Sequence, residues 1–184
     1  MKVFVTGSEG QLGRTLGETV PAAVDLAGGN LPELDIVDLQ ALQTRLAAEK
    51  PDFVVNAAAY TAVDKAEDHE PQAQVINAEA PAAMARACAA QGIPFLHVST
   101  DYVFDGSGNT PWRETDPVAP QNAYGRTKLV MEQLIGDVCT AHADFKAAVL
   151  RYFNPVGAHS SGLIGEDPND IPNNLMPFVS QVAV

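Results

Sequence analysis

"KVFVTGSEGQLGRTLGETV", residues 2–20, divides into three parts. Lys2–Thr6 is a β-branched and aromatic run, a glycine-rich break follows, and Gln11–Val20 has helical composition. The pattern predicts a strand, a tight turn and a helix. Gly7, Gly10 and Gly13 fall across the turn, where missing side chains let the backbone approach a pyrophosphate. The first amides of the helix supply N–H donors and the positive end of its dipole to that group. A glycine triplet by itself also serves plain tight turns; its place in the first strand-turn-helix unit favours an anion cradle.

Outward from this unit the alternation continues. Ala22–Leu26 reads as a second strand, Asp38–Lys50 as a helix with Leu39, Leu42 and Leu46 on one face, and Asp52–Asn56 as a third strand. Pro71–Gln91 is an alanine-rich helical stretch with a bend expected at Pro81, followed by a strand over Pro94–Ser99. Tyr124 to about His142 is helical, and Ala147–Tyr152 is a strand. Near-continuous apolar strands separated by helices predict an α/β fold: a doubly wound, Rossmann-type parallel sheet with helices on both faces. Residues 1–153 are expected to form a dinucleotide-binding domain and 154–184 the start of a substrate-binding segment, with most of a substrate lobe absent. The run "FVSQVAV" ends without a capping glycine or polar exit, so the chain is expected to be a fragment.

The 184 residues, 46% of them hydrophobic, suffice for one well-buried core. A formal net charge of −12 argues against nucleic acid or anionic lipid as a partner and leaves a small molecule. Cys88 and Cys139 lie in helical segments with no metal or disulfide spacing, which predicts buried, inert thiols in a reduced, cytoplasmic protein. No apolar run approaches membrane-spanning length. His97 reads as a core or hydrogen-bonded histidine, and His69, His142 and His159 show no metal spacing, so no metal is assigned.

Chemistry concentrates at predicted strand ends. Asp25, at the end of the predicted second strand, could bind a ribose diol or be an ordinary solvated aspartate; Arg14 could accept a 2′-phosphate. NAD and NADP both stay open. The alanines Ala57, Ala58 and Ala59 would let a flat ring lie against the backbone, or would serve close helix-sheet packing. Ser99 and Thr100 are hydroxyls at a strand end, followed by Asp101 and Tyr102. In "NAYGRTKLVME", residues 122–132, Tyr124 and Lys128 stand four apart on a predicted helix and project from one face. A neighbouring ammonium would favour the phenolate and tune the tyrosine for proton transfer. Glycine turn, strand-end hydroxyl and tyrosine-lysine helix follow one another in the order that a single site needs.

Together these motifs resemble the extended short-chain dehydrogenase/reductase superfamily. Through "GSEGQLG", "NAAAYTAVDKAE", "VSTDYVFDG" and "PWRETDPVAPQNAYGRTKL", residues 1 to about 128 resemble the dTDP-4-dehydrorhamnose reductases. From about Tyr124 onward, "LRYFNPVGAHSSGLIGEDPNDIPNNLMPFVSQVAV" is similar to the UDP-glucose 4-epimerases. The first resemblance implies that Gly7, Gly10, Gln11, Leu12, Asp35, Ile36 and Ala57 to Ala59 line an NAD or NADP site. It also implies a catalytic trio of Thr100, Tyr124 and Lys128, with Val63, Asp101 and Tyr102 near the sugar. The second implies that Asn154, Asn174 and Leu175 contact a UDP-sugar. The expected activity is NAD(P)H-dependent reduction of a 4-keto nucleotide sugar. The alternatives are C4 epimerisation of a UDP-sugar, and a truncated or hybrid dinucleotide-binding module with little catalysis. The oligomeric state stays open, with a homodimer as one option, because the tyrosine helix is a common dimer face in that superfamily.

Overall fold

The computed structural model describes residues 1–157, 161–163 and 175–182. The chain divides into two compact units, Met1–Arg151 and Tyr152–Val184. In chain order the elements are β1 (Lys2–Thr6), α1 (Gln11–Thr19), β2 (Asp25–Gly29), α2 (Leu39–Glu49) and β3 (Phe53–Asn56). There follow α3 (Lys65–Asp68), α4 (Glu70–Gln74), a π-helical turn (Val75–Glu79), α5 (Ala80–Gln91) and β4 (Phe95–Thr100). A 3₁₀ turn (Asp101–Val103), α6 (Ala123–Ala141), β5 (Ala147–Tyr152) and α7 (Leu175–Val182) complete the list. The five strands form one sheet in the order β2-β1-β3-β4-β5. β1 pairs in parallel with both β2 and β3, and β3 with β4. The winding direction reverses between β1 and β3, the switch point where a crevice opens at the carboxyl ends of the strands.

Register and alternation decide which side chains make the core. Phe4, Val54 and Phe95 lie side by side across β1, β3 and β4. They pack against Leu42 and Leu46 of α2, Met84 and Cys88 of α5, and Met131 and Ile135 of α6. Burial pushes the Cys88 thiol up to about 12, so it is an inert core group. On the other face, Val3, Val5, Leu26 and Val55 meet Leu16 of α1 around a hollow of about 250 Å³. Helices therefore flank the sheet on both faces, as the alternation predicts.

Local chemistry sets the element ends. Asp38 caps α2 by accepting the Ala41 N–H at 2.9 Å, and Lys50 closes that helix in the left-handed region. Asn122 caps α6 by accepting the Gly125 N–H at 2.7 Å. Two expectations need correction. The second strand is Asp25–Gly29, not Ala22–Leu26, because Pro21 to Val24 turn back on themselves and Asp25 enters register opposite Lys2. Gly29 closes the strand in register with Thr6, and its missing side chain leaves room for Leu34 and Phe4. The stretch read as one bent helix is three segments. Pro81 has no N–H to offer the Asn77 carbonyl one turn back, and the widened π turn falls just before it. Among the described residues no helix is long and apolar enough to cross a membrane.

Candidate active site

A cleft of about 620 Å³ opens at the carboxyl ends of the strands, at the switch point. Its floor is the glycine turn. Gly7 has φ +70° and presses on Ala57 and Ala58 so closely that a Cβ would sit 2.8 Å from the Ala58 nitrogen. A Cβ on Gly13 would collide with the Gly7 carbonyl, so this glycine packs α1 beneath the turn. Gly10, the residue preceding α1, supplies no side-chain cap, and the first turn carries no acid. The opening amides of α1 thus meet the cleft uncapped, which suits a phosphate.

A buried polar chain braces the floor. Thr6 Oγ1 donates to Asn56 Oδ1 at 2.5 Å, and the Ala58 N–H donates to the same oxygen at 3.2 Å. A backbone N–H must meet an oxygen, so the Asn56 amide nitrogen faces His97 and donates to its Nδ1 at 2.8 Å. His97 is a core histidine, held neutral well below its ordinary pKa by burial and then by the Lys128 charge.

The wall comes from β4 and α6. A Cβ on Gly125 would collide with the Tyr102 carbonyl, so α6 begins hard against the 3₁₀ turn after β4. Glu67 Oε1 accepts the Ala123 N–H at 2.6 Å and braces the same helix start from α3. Tyr124 and Lys128 both line the cleft. Lys128 is almost wholly buried and donates from Nζ to the Val98 carbonyl at 3.0 Å. Burial pulls its pKa down to about 8, with the Glu132 carboxylate opposing. Tyr124 departs from expectation: its pKa is raised, first by burial, with the Thr100 hydroxyl opposing and Asp101 and Tyr102 adding. The ammonium that was expected to favour the phenolate is directed instead at a backbone carbonyl. Thr100 Oγ1 donates to Asp101 Oδ1 at 3.0 Å and accepts the Tyr102 N–H at 3.2 Å. The Tyr102 ring meets Tyr124 edge to face at 5.7 Å.

Of the residues singled out in the sequence, the cleft gathers Gly7, Gly10, Gln11, Leu12, Asp35, Ile36, Ala57, Ala58, Ala59, Ser99, Tyr124 and Lys128. Gly13 packs beneath it, and Thr100 with Asp101 and Tyr102 stands beside Tyr124. Val63 is half-buried just before α3. Asp25 is misplaced in the sequence reading: it opens β2 opposite Lys2, at the end of the sheet away from the cleft. Asn154 and Leu175 are exposed residues of the second unit, and Asn174 lies outside the described residues. The sequence reading missed Asn30, Leu31, Ile76 and Val98, all of which line the cleft. Had β2 been bounded at Gly29, the strand-end rule would have found Asn30. Ile76 has no signal in sequence, because it arrives through the π turn.

The arrangement combines a phosphate-ready glycine turn, a small-residue floor and a phenol beside a buried ammonium. The model of the RmlD substrate binding domain matches residues 1–153. The dTDP-4-dehydrorhamnose reductase of Burkholderia thailandensis is 45% identical over 144 residues, covering 74% of this chain and 46% of that protein. The crystal structure of dTDP-4-dehydrorhamnose reductase from Bacillus anthracis in complex with NADP has TM-score 0.76 and 33% identity, covering 82% of this chain and 52% of that one. UDP-glucose-4-epimerase from Stenotrophomonas maltophila, with bound NAD and formylated UDP-arabinopyranose, has TM-score 0.83 and 30% identity, covering 100% of this chain and 62% of that one. The chain spans about half the length of the curated relatives it matches. By its matched residues, its strand order and its glycine turn, the chain belongs to the RmlD substrate binding domain family, within the extended short-chain dehydrogenase/reductase superfamily.

Proposed function

We propose that the chain carries the dinucleotide site and the proton-transfer residues of an NAD(P)H-dependent reductase acting on a 4-keto nucleotide sugar of the dTDP-4-dehydrorhamnose type. One observation carries this reading: Tyr124 and Lys128 line the same cleft as the glycine turn. The nicotinamide nucleotide supplies hydride chemistry when bound. Gly7, Gly10 and the opening amides of α1 receive its pyrophosphate, and Ala57, Ala58 and Ala59 leave room for its flat groups. Tyr124, held protonated by burial, donates its proton to the oxygen that becomes an alkoxide as the keto carbon is reduced. Thr100 holds that oxygen, and Lys128 binds the nicotinamide ribose. Val63, Asp101 and Tyr102 contact the sugar, and Asn154, Asn174 and Leu175 open the substrate-binding segment of residues 154–184. The nucleotide is NAD or NADP, and the working form is a cytoplasmic protein that pairs through the α6 face.

The test adds a 4-keto-6-deoxy sugar nucleotide and follows NAD(P)H absorbance. Stoichiometric loss, abolished by Tyr124→Phe, is expected; no loss from a chain that binds the nucleotide would sink the reading.

Similarity to the Stenotrophomonas epimerase over the full chain favours a second reading, C4 epimerisation of a UDP-sugar. There Tyr124 removes the hydroxyl proton and later returns it, with no net change in the nucleotide. Conversion of UDP-galactose to UDP-glucose without added NADH would establish it. Nucleotide binding with neither activity would leave a dinucleotide-binding module alone.

A further inference from the structure

Behind the tyrosine-lysine face lies a second charged assembly that the proposed chemistry does not use. Ser99 Oγ donates to Glu132 Oε1 at 2.6 Å. Arg151 of β5 grips the same carboxylate in a fork, from Nε at 3.1 Å to both oxygens and from Nη2 at 2.7 Å to Oε2. Its remaining nitrogen, Nη1, donates to the Glu114 carbonyl at 3.3 Å, and the guanidinium lies 5.1 Å over the Phe104 ring. Phe104 in turn stacks on Trp112, with centroids 4.7 Å apart and planes within 9°. One carboxylate therefore ties together α6, the end of β4, β5 and the segment 104–114.

The placement of this knot is informative. Glu132 stands four residues after Lys128 on the same helix face, and Ser99 lines the cleft beside Val98, whose carbonyl receives the Lys128 ammonium. A forked, largely buried pair stabilises a fold little more than apolar residues of equal volume would. It does fix direction, because both partners are planar and bidentate.

We propose that Glu132 is a positioning residue of the cleft: clamped by Arg151 and Ser99, it holds a fixed carboxylate four residues along α6 from Lys128 and ties down the end of β4, where the Val98 carbonyl receives that ammonium. The part this plays in turnover rests on the functional reading above. The groups facing Lys128 are His97 of β4, which is neutral, and Tyr124 and Glu132 of α6; Arg151 reaches Lys128 through Glu132.

The test follows the titration of the Lys128 side chain by NMR in the intact chain with carbon-labelled lysine, assigned against Lys128→Arg. In Glu132→Gln, which keeps the side-chain shape, the midpoint should fall below its native position near 8. In Arg151→Gln it should rise, because the carboxylate is no longer shared with a second cation. Shifts of opposite sign would uphold the proposal, whereas a general loosening of structure would move both variants alike. An unmoved midpoint in Glu132→Gln, or shifts of one sign in both, would overturn it. If Arg151→Gln does not fold, Glu132→Gln decides by itself, a fall upholding and an unmoved midpoint overturning. A parallel fluorescence titration with NADH should show roughly tenfold weaker binding in Glu132→Gln, the weakening of one charge-assisted contact from Lys128. A native chain that binds neither NADH nor NADPH would defeat the functional reading and leave the Lys128 titration to decide the positioning role.

Discussion

Tyr124 and Lys128 are both pushed toward their neutral forms, the phenol upward and the ammonium downward, and in both cases burial is the leading cause. For Tyr124 this means that the phenol, the proton donor of the proposed reduction, stays protonated through and beyond its usual range. An ultraviolet titration of the native chain should show Tyr124 ionising after the exposed tyrosines, and Tyr124→Phe should delete that late step. In the proposed reduction the same substitution should lower kcat by about 10²–10⁴ with nucleotide affinity little changed. For Lys128 the unfolded chain keeps an ordinary lysine near 10.5, while the folded chain releases its proton near 8. The unfolded state therefore holds the extra proton between these values, and this lysine makes stability rise with pH across that window. Lys128→Met should remove the rise and, in urea unfolding at pH 7, gain about 1 kcal/mol while abolishing nucleotide binding. The pairing of these two residues was legible from their spacing; the direction of the phenol's shift was not, because burial and the aim of an ammonium are tertiary facts.

At the scale of elements, α6 carries the proposed proton-transfer pair and its start is held three ways: by the Asn122 cap, by Glu67 reaching the Ala123 N–H, and by the close seat of Gly125 on Tyr102. Asn122→Ala should destabilise the chain by about 1 kcal/mol in urea unfolding. Because Tyr124 lies in the freed turn, the same variant should lower kcat more than it raises KM. The asparagine cap is a local contact across three residues, whereas the Glu67 brace comes from 56 residues away and needed the fold. The errors in element bounds share a cause. β2 slid three residues because register with β1 outweighed the glycines' poor strand propensity, and Asp25 moved with it to the wrong end of the sheet. The π turn that delivers Ile76 to the cleft was likewise invisible, since how the backbone widens ahead of the buried Pro81 is settled by packing and not by local composition.

For the whole molecule, His97 is the group that couples the core to pH. It is 1% exposed in the interior and held neutral, so its pKa in the fold lies well below the ordinary 6.5. Below about 6.5 the unfolded chain takes up a proton that the folded chain refuses, and stability falls as pH drops through that value. Comparing urea midpoints at pH 7.5 and 5.5 should show a drop in the native chain that His97→Asn reduces. By itself the sequence determined the class of fold, the glycine turn, the tyrosine-lysine helix and most of the cleft floor. Those depend on local rules: apolar period, turn residues and the spacing of side chains along one helix. Only the tertiary structure decided which end of β2 faces the cleft, which way Lys128 points, how burial shifts the Tyr124 and Lys128 pKa values, and that Glu132, Ser99 and Arg151 meet behind them. These turn on register and on the meeting of residues far apart in the chain, where packing and desolvation outweigh local preference.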